Sequence, residues 1–75
     1  MREKFSIAEI TILRHELLQT GLDSFQIADA IRAFVVDHGY GISRERALNA
    51  VNLIEGAGYN LESLQRELEA SALVN

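Results

Sequence analysis

Apolar residues recur every three or four positions in four stretches of this chain, which is the spacing of one face of an α-helix. The second stretch is the most apolar, with Ile27, Ile31, Phe34 and Val35 on one side. The pattern predicts four helices, over about residues 6–19, 24–38, 43–56 and 61–73, with residues 73–75 fraying at the end of the chain. We expect an all-α fold in which four short helices form two similar helical hairpins, packed as a compact bundle.

Two corners divide the pattern, and each combines a helix end with a helix start. Gly21 and Asp23 form the first corner, and Gly58 and Asn60 repeat them 37 positions later. Glycine can take the left-handed conformation that ends a helix, and Asp or Asn can cap the next one. The repeat indicates either a duplicated hairpin or two hairpins that share the few ways of ending a helix.

Composition limits what this chain can do. Its 75 residues, 48% of them apolar, predict a single domain over residues 1–75 with a thin margin of stability. A net charge of −4 and scattered basic residues argue against nucleic acid as a partner. The longest apolar run covers only residues 33–36, so we expect no membrane span and a cytoplasmic location.

The residues that carry enzyme chemistry are sparse. There is no cysteine, and the two histidines, His15 and His38, lie on different predicted helices without metal-ligand spacing. We interpret His38 as a last-turn residue that interacts with the helix dipole. The carboxylates resemble helix caps, as Glu9 does three residues after Ser6 in a capping box, or exposed-face residues, as Glu69 does, rather than a buried catalytic pair. We therefore expect no enzyme, no catalytic residue, no metal and no cofactor.

Several apolar side chains project away from the predicted core stripes. Phe25, Arg32 and Val36 lie opposite the apolar stripe of the second helix, and Tyr40 follows that helix. Such residues are either scattered surface residues or part of a contact patch. The hypothesis is a small non-catalytic protein–protein interaction module, a regulator or inhibitor that binds a partner protein and self-associates as a homodimer. These four residues are its predicted partner-binding site.

Residues 19–25, Gln-Thr-Gly-Leu-Asp-Ser-Phe, resemble the attachment motif of acyl and peptidyl carrier proteins, where a Gly-x-Asp-Ser-Leu stretch opens a helix. The resemblance implies that Ser24 carries a phosphopantetheine arm, with Phe25, Asp29 and Arg32 facing partner enzymes. It extends over residues 19–42, and the chain departs from it at Phe25, where the family has Leu or Met. A carrier-like protein modified at Ser24 is the alternative function.

A second alternative is a helix-turn-helix DNA-binding regulator. The first two predicted helices would form the motif, and Gln26, Asp29 and Arg32 would face the bases. Few basic residues stand nearby to contact phosphate. Residues 42–68 are also faintly similar to the ubiquitin-associated class of three-helix modules, a similarity that assigns no site residue.

Overall fold

Four helices account for most of the structure, a computed structural model that describes residues 3–19 and 21–74. They are α1 (Ile7–Leu17), α2 (Ser24–Asp37), α3 (Arg44–Gly56) and α4 (Leu61–Ser71), with two short strands, β1 (Tyr40–Gly41) and β2 (Leu73–Val74). The predicted all-α class and the four helices are confirmed. The observed helices are shorter than predicted, by one to three residues each.

Each helix begins where a polar side chain accepts a hydrogen bond from the backbone N–H three residues further on. The four capping residues are Ser6, Asp23, Ser43 and Asn60. Glu9 completes a capping box with Ser6, as predicted, and Gln26 completes a second one with Asp23. These side chains satisfy N–H groups that the helix itself leaves free, which is why the helices start at these residues.

The two glycine corners have the predicted conformation. Gly21 has a φ of +92° and Gly58 a φ of +72°, both in the left-handed region. Tyr59 follows with a φ of +59°, which is uncommon for a bulky side chain. Arg14 donates from Nε to the Tyr59 carbonyl oxygen at 2.7 Å. This contact fastens the second corner to α1.

The core lies between the helices, and its centre is the pair α2 and α3. Of the helix pairs, α2 and α3 pack most extensively, and α1 has more contact with α4 than with α2. The fully buried large side chains include Ile10, Ile31, Ile54, Leu64 and Leu68. Each hairpin is therefore held mainly by the other, in agreement with the expected packing of two hairpins as one bundle.

The end of the chain differs from the prediction. The helix expected to reach residue 73 ends at Ser71, and Ala72 is extended, with φ −71° and ψ 125°. Leu73 and Val74, which we expected to fray, pair antiparallel with Gly41 and Tyr40. A two-residue backbone pairing has no local sequence pattern, so helical spacing could not predict it. Asn75, also expected to fray, lies outside the described residues.

The segment before α1 is bound to α4 by a group of contacts that we call the N-terminal clasp (Lys4, Phe5 and Glu69). The Lys4 backbone N–H donates to both Glu69 carboxylate oxygens, at 3.0 and 2.8 Å, and the Phe5 N–H donates to one of them at 2.9 Å. Lys4 Nζ donates to the carbonyl oxygens of Glu69 and Ala72. An ammonium group at these last carbonyls of α4 also favours the helix dipole.

Candidate interaction surface

Helix α2 has one buried face and one exposed face. Its buried residues are Ile27, Ala28, Ile31 and Val35. On the other side, Phe25 is 58% exposed and Val36 is 57% exposed. These two residues are about three helical turns apart, so they lie on the same face, separated by about 16 Å along the axis.

Two opposite charges lie between these apolar side chains. Asp29 is exposed and Arg32 is half-buried, and both project to the same side as Phe25 and Val36. We call these four residues the α2 contact face. In the part of the chain that the structure describes, neither Asp29 nor Arg32 forms an ion pair. Arg32 Nε is buried and has no hydrogen-bond acceptor there.

Tyr40 is the one predicted partner-binding residue that the structure places in a different setting. It lies in β1, half-buried, with its ring edge-on to Phe5 at 5.5 Å between centroids. The ring packs against the core. Of the four predicted residues, Phe25, Arg32 and Val36 therefore share a surface, and Tyr40 contributes mainly to the fold.

Ser24, the residue of the carrier-like alternative, is the first residue of α2 and is half-buried. Its hydroxyl donates to Glu55 Oε1 at 3.4 Å. A helix N-terminus favours a phosphate group, but a neighbouring carboxylate repels one. The contact with Glu55 does not favour a phosphopantetheine arm at Ser24.

The helix-turn-helix alternative would use the same exposed side of α2. That side presents Phe25, Val36 and the carboxylate of Asp29, with Arg32 as its cation. Apolar and acidic groups are poor ligands for a phosphate backbone. The composition of the face favours a protein surface over DNA.

Other large apolar side chains are also exposed, on other elements. They are Ile7, Ile12, Leu18, Leu22, Leu53, Leu73 and Val74. Single exposed apolar residues are ordinary on protein surfaces. The α2 contact face differs because it combines two of them with an acid and a base on one side of one helix.

A histidine–carboxylate pair was not foreseen from the sequence. His38 Nε2 lies 2.5 Å from Glu9 Oε2, and His38 Nδ1 lies 2.8 Å from the Phe34 carbonyl oxygen. Both partners accept hydrogen bonds, so the geometry suits an imidazolium with both nitrogens protonated. The ring also packs on Phe34 and Phe5. The sequence predicts Glu9 as a capping residue and His38 as a last-turn residue, and with 29 positions between them no local pattern indicates the pair.

The contact between His38 and Glu9 changes the pKa of both side chains. The hydrogen bonds to Glu9 and to the Phe34 carbonyl raise the pKa of His38 above 6.5. The hydrogen bonds from His38 and Ser6 lower the pKa of Glu9 to about 2. Both imidazole nitrogens are engaged, and the Ser6 hydroxyl donates to Glu9 Oε1 at 2.9 Å. The imidazole therefore has no free nitrogen with which to activate a nucleophile, and its role is to hold the start of α1 against the end of α2.

We expect stability to depend on pH through this pair. Because folding raises the pKa of His38, its contribution is complete below pH 6.5 and is lost as the pH rises through the folded-state pKa. Thermal unfolding followed by circular dichroism should give a higher Tm at about pH 5.5 than at about pH 8.5, and His38→Gln should reduce that difference. Glu9 acts at acid pH, since its contribution is complete above its unfolded pKa of 4.5 and is lost as the pH falls towards its folded-state pKa of about 2.

His15 provides the control because it is exposed on α1. His15→Gln should keep the pH dependence of the wild-type chain. An undiminished pH dependence in His38→Gln would show that another group is responsible.

A groove of about 660 Å³ runs between the N-terminal segment and α4. Its lining residues are Glu3, Lys4, Glu62, Gln65, Arg66, Glu69 and Ala70. Several of its polar groups already bond within the chain, since Lys4 contacts Glu69 and the Gln65 amide donates to Glu3 and to the Phe5 carbonyl oxygen. These contacts hold the N-terminal segment on α4.

Comparison with known proteins gave no match to a family model, to a curated protein or to a solved structure. Among residues 3–19 and 21–74, no helix has the length and apolar character needed to cross a membrane. Over the same residues, no three His, Asp or Glu side chains are grouped as a metal site would require. The α2 contact face is the feature of the described chain that best supports a functional hypothesis.

Proposed function

We propose that the protein is a non-catalytic protein–protein interaction module, a small regulator or inhibitor that acts by binding a partner protein through the α2 contact face. The observation that carries the proposal is the exposure of Phe25 and Val36, at 58% and 57%, on one side of a single regular helix. A helix that presents apolar anchors about one to three turns apart is a common recognition element, which docks in a groove or against another helix.

Energetics support this use of the face. Burying one large apolar side chain contributes about 1.5–3 kcal/mol, and aromatic anchors often dominate binding. Helix α2 packs on α3 and is capped at its first turn by Asp23, so the face is held in place before binding. A preorganised face loses little conformational entropy when a partner docks.

We expect Phe25→Asp and Val36→Asp each to weaken partner binding by at least about tenfold, which corresponds to 1.4 kcal/mol. The helical circular dichroism spectrum should stay unchanged, because both side chains are more than half exposed. Binding can be measured on a biosensor that carries the immobilised chain. Cell extract is passed over it first, and a solution of the purified chain is passed over it in a second experiment.

Leu53→Asp is the matched control. Leu53 is 57% exposed, as Val36 is, but lies on α3. The control should bind as the wild-type chain does. If all three variants bind equally, or if Phe25→Asp unfolds the chain, the α2 contact face is not the binding surface.

A further inference from the structure

The α2 contact face is symmetric in a way that a second copy of the chain could use. Phe25 and Val36 lie equally far from the midpoint between Ala30 and Ile31, and so do Asp29 and Arg32. The face therefore carries an apolar residue at each end and opposite charges around its centre.

Building on the proposed function, we propose that the partner of this face is a second copy of the chain, with the two α2 helices packed antiparallel about a two-fold axis. In a two-fold interface, if one residue contacts a second residue across the interface, the reverse contact is also made. Phe25 then lies against Val36 of the second copy, and Asp29 lies against Arg32 of the second copy. Both pairs occur twice in the dimer.

Charge complementarity favours the antiparallel arrangement over the parallel one. Antiparallel packing places the acid of each copy beside the base of the other. Parallel packing would place Asp29 against Asp29 and Arg32 against Arg32, which like-charge repulsion disfavours. The second copy would also bring a carboxylate to the guanidinium group of Arg32, which forms no ion pair among the described residues.

The spacing of the face suits helix–helix packing. Phe25, Asp29, Arg32 and Val36 follow one another at intervals of four, three and four residues. This alternation is the spacing of the facing positions in a two-helix coiled coil, where successive side chains point towards the same neighbouring helix.

The size of the face predicts a weak dimer. Helix α2 has 14 residues, so its length is only about 21 Å. One face of such a helix covers less than the roughly 800 Å² per partner of a standard stable interface. We expect a dissociation constant of the order of 1–100 µM, which allows the chain to exchange between free and paired forms.

Cysteine cross-linking tests the antiparallel arrangement of the two α2 helices. No other thiol competes in the reaction, because the chain has no cysteine of its own. Phe25→Cys and Val36→Cys chains, mixed in equal amounts under mild oxidation, should form the mixed 25–36 disulfide. Each variant alone should cross-link much more slowly, because equivalent positions lie about 16 Å apart along the antiparallel helices. Leu53→Cys gives the rate of random collision. Rapid cross-linking of Phe25→Cys with itself would overturn the antiparallel arrangement.

A charge exchange tests the polar pairs. Asp29→Arg and Arg32→Asp should each weaken self-association by about tenfold, because each places like charges together twice per dimer. The double variant Asp29→Arg/Arg32→Asp keeps the net charge and should restore dimerisation, measured by sedimentation at concentrations up to several hundred micromolar. A double variant that remains as weak as the single ones would contradict the pairing.

The two proposals fail in different ways. If the chain remains monomeric at these concentrations but Phe25→Asp still abolishes binding to another protein, the second-copy inference is wrong and the proposed function stands. If neither self-association nor binding to another protein depends on Phe25 and Val36, both are wrong.

Discussion

Replacing Phe5 with alanine is expected to lower the free energy of unfolding by about 3–5 kcal/mol. The Phe5 side chain is completely buried, and its ring packs against Phe34, His38 and Tyr40 at centroid distances of 5.1, 5.3 and 5.5 Å. Truncation removes these contacts and leaves a cavity where the ends of several elements meet. Urea unfolding, followed by circular dichroism, measures the change.

The expected loss is large compared with the stability of so small a domain. At about 0.05–0.15 kcal/mol per residue, a chain of 75 residues has roughly 4–11 kcal/mol in total. Phe5→Ala should therefore leave a marginally folded or unfolded chain. Phe25→Ala is the control, because it is the same substitution at a side chain that is 58% exposed, and we expect it to change stability by less than about 0.5 kcal/mol. Similar losses in the two variants would contradict the buried position of Phe5.

The helices and their starts could be predicted because their signals are local. Ser6 and Glu9, three residues apart, form the predicted capping box, and the glycine of each corner has the expected positive φ. Helix periodicity also separated the two faces of α2 correctly, since Ile27 and Ile31 are buried and Phe25 is exposed. Each of these features depends on residues within about one or two turns of one another.

The contacts that hold the two ends of the chain could not be predicted in this way. Periodicity assigned Glu69 to the solvated side of α4, yet its carboxylate binds the backbone of Lys4, 65 positions away. The Phe5 ring likewise lies within an aromatic group drawn from α2 and β1, whose residues are distant from it along the sequence. Tertiary pairs of this kind leave no periodic pattern in the sequence.

Helical geometry could predict only part of the candidate interaction surface. Phe25, Arg32 and Val36 belong to one helix, so their angular positions follow from its geometry. Tyr40 lies beyond the end of that helix, and the helical projection carried no information about its ring, which packs on Phe5. The self-pairing of the α2 contact face rests in addition on two structural facts, the exposure of Phe25 and Val36 and, among the described residues, the lack of an ion pair at Asp29 and Arg32.

Replacing Glu69 with alanine is expected to lower the free energy of unfolding by about 2–3 kcal/mol, because hydrogen bonds to a charged group contribute about 1.5–3 kcal/mol. One carboxylate accepts from the backbone N–H groups of both Lys4 and Phe5, at 2.8–3.0 Å in a partly buried setting. Its removal leaves these donors without their acceptor and releases the backbone that positions the Phe5 ring. Urea unfolding again measures the change.

Two further variants show which contacts of Glu69 and Lys4 account for the change in stability. Glu62→Ala removes an exposed carboxylate from the first turn of the same helix and should cost at most about 1 kcal/mol, the value of a helix-dipole interaction. Lys4→Met removes the Nζ contacts with the last carbonyls of α4 but keeps the backbone bonds to Glu69, so we expect an intermediate loss. If Glu69→Ala costs no more than Glu62→Ala, the ring contacts alone hold Phe5 in the core, and the clasp adds nothing to stability.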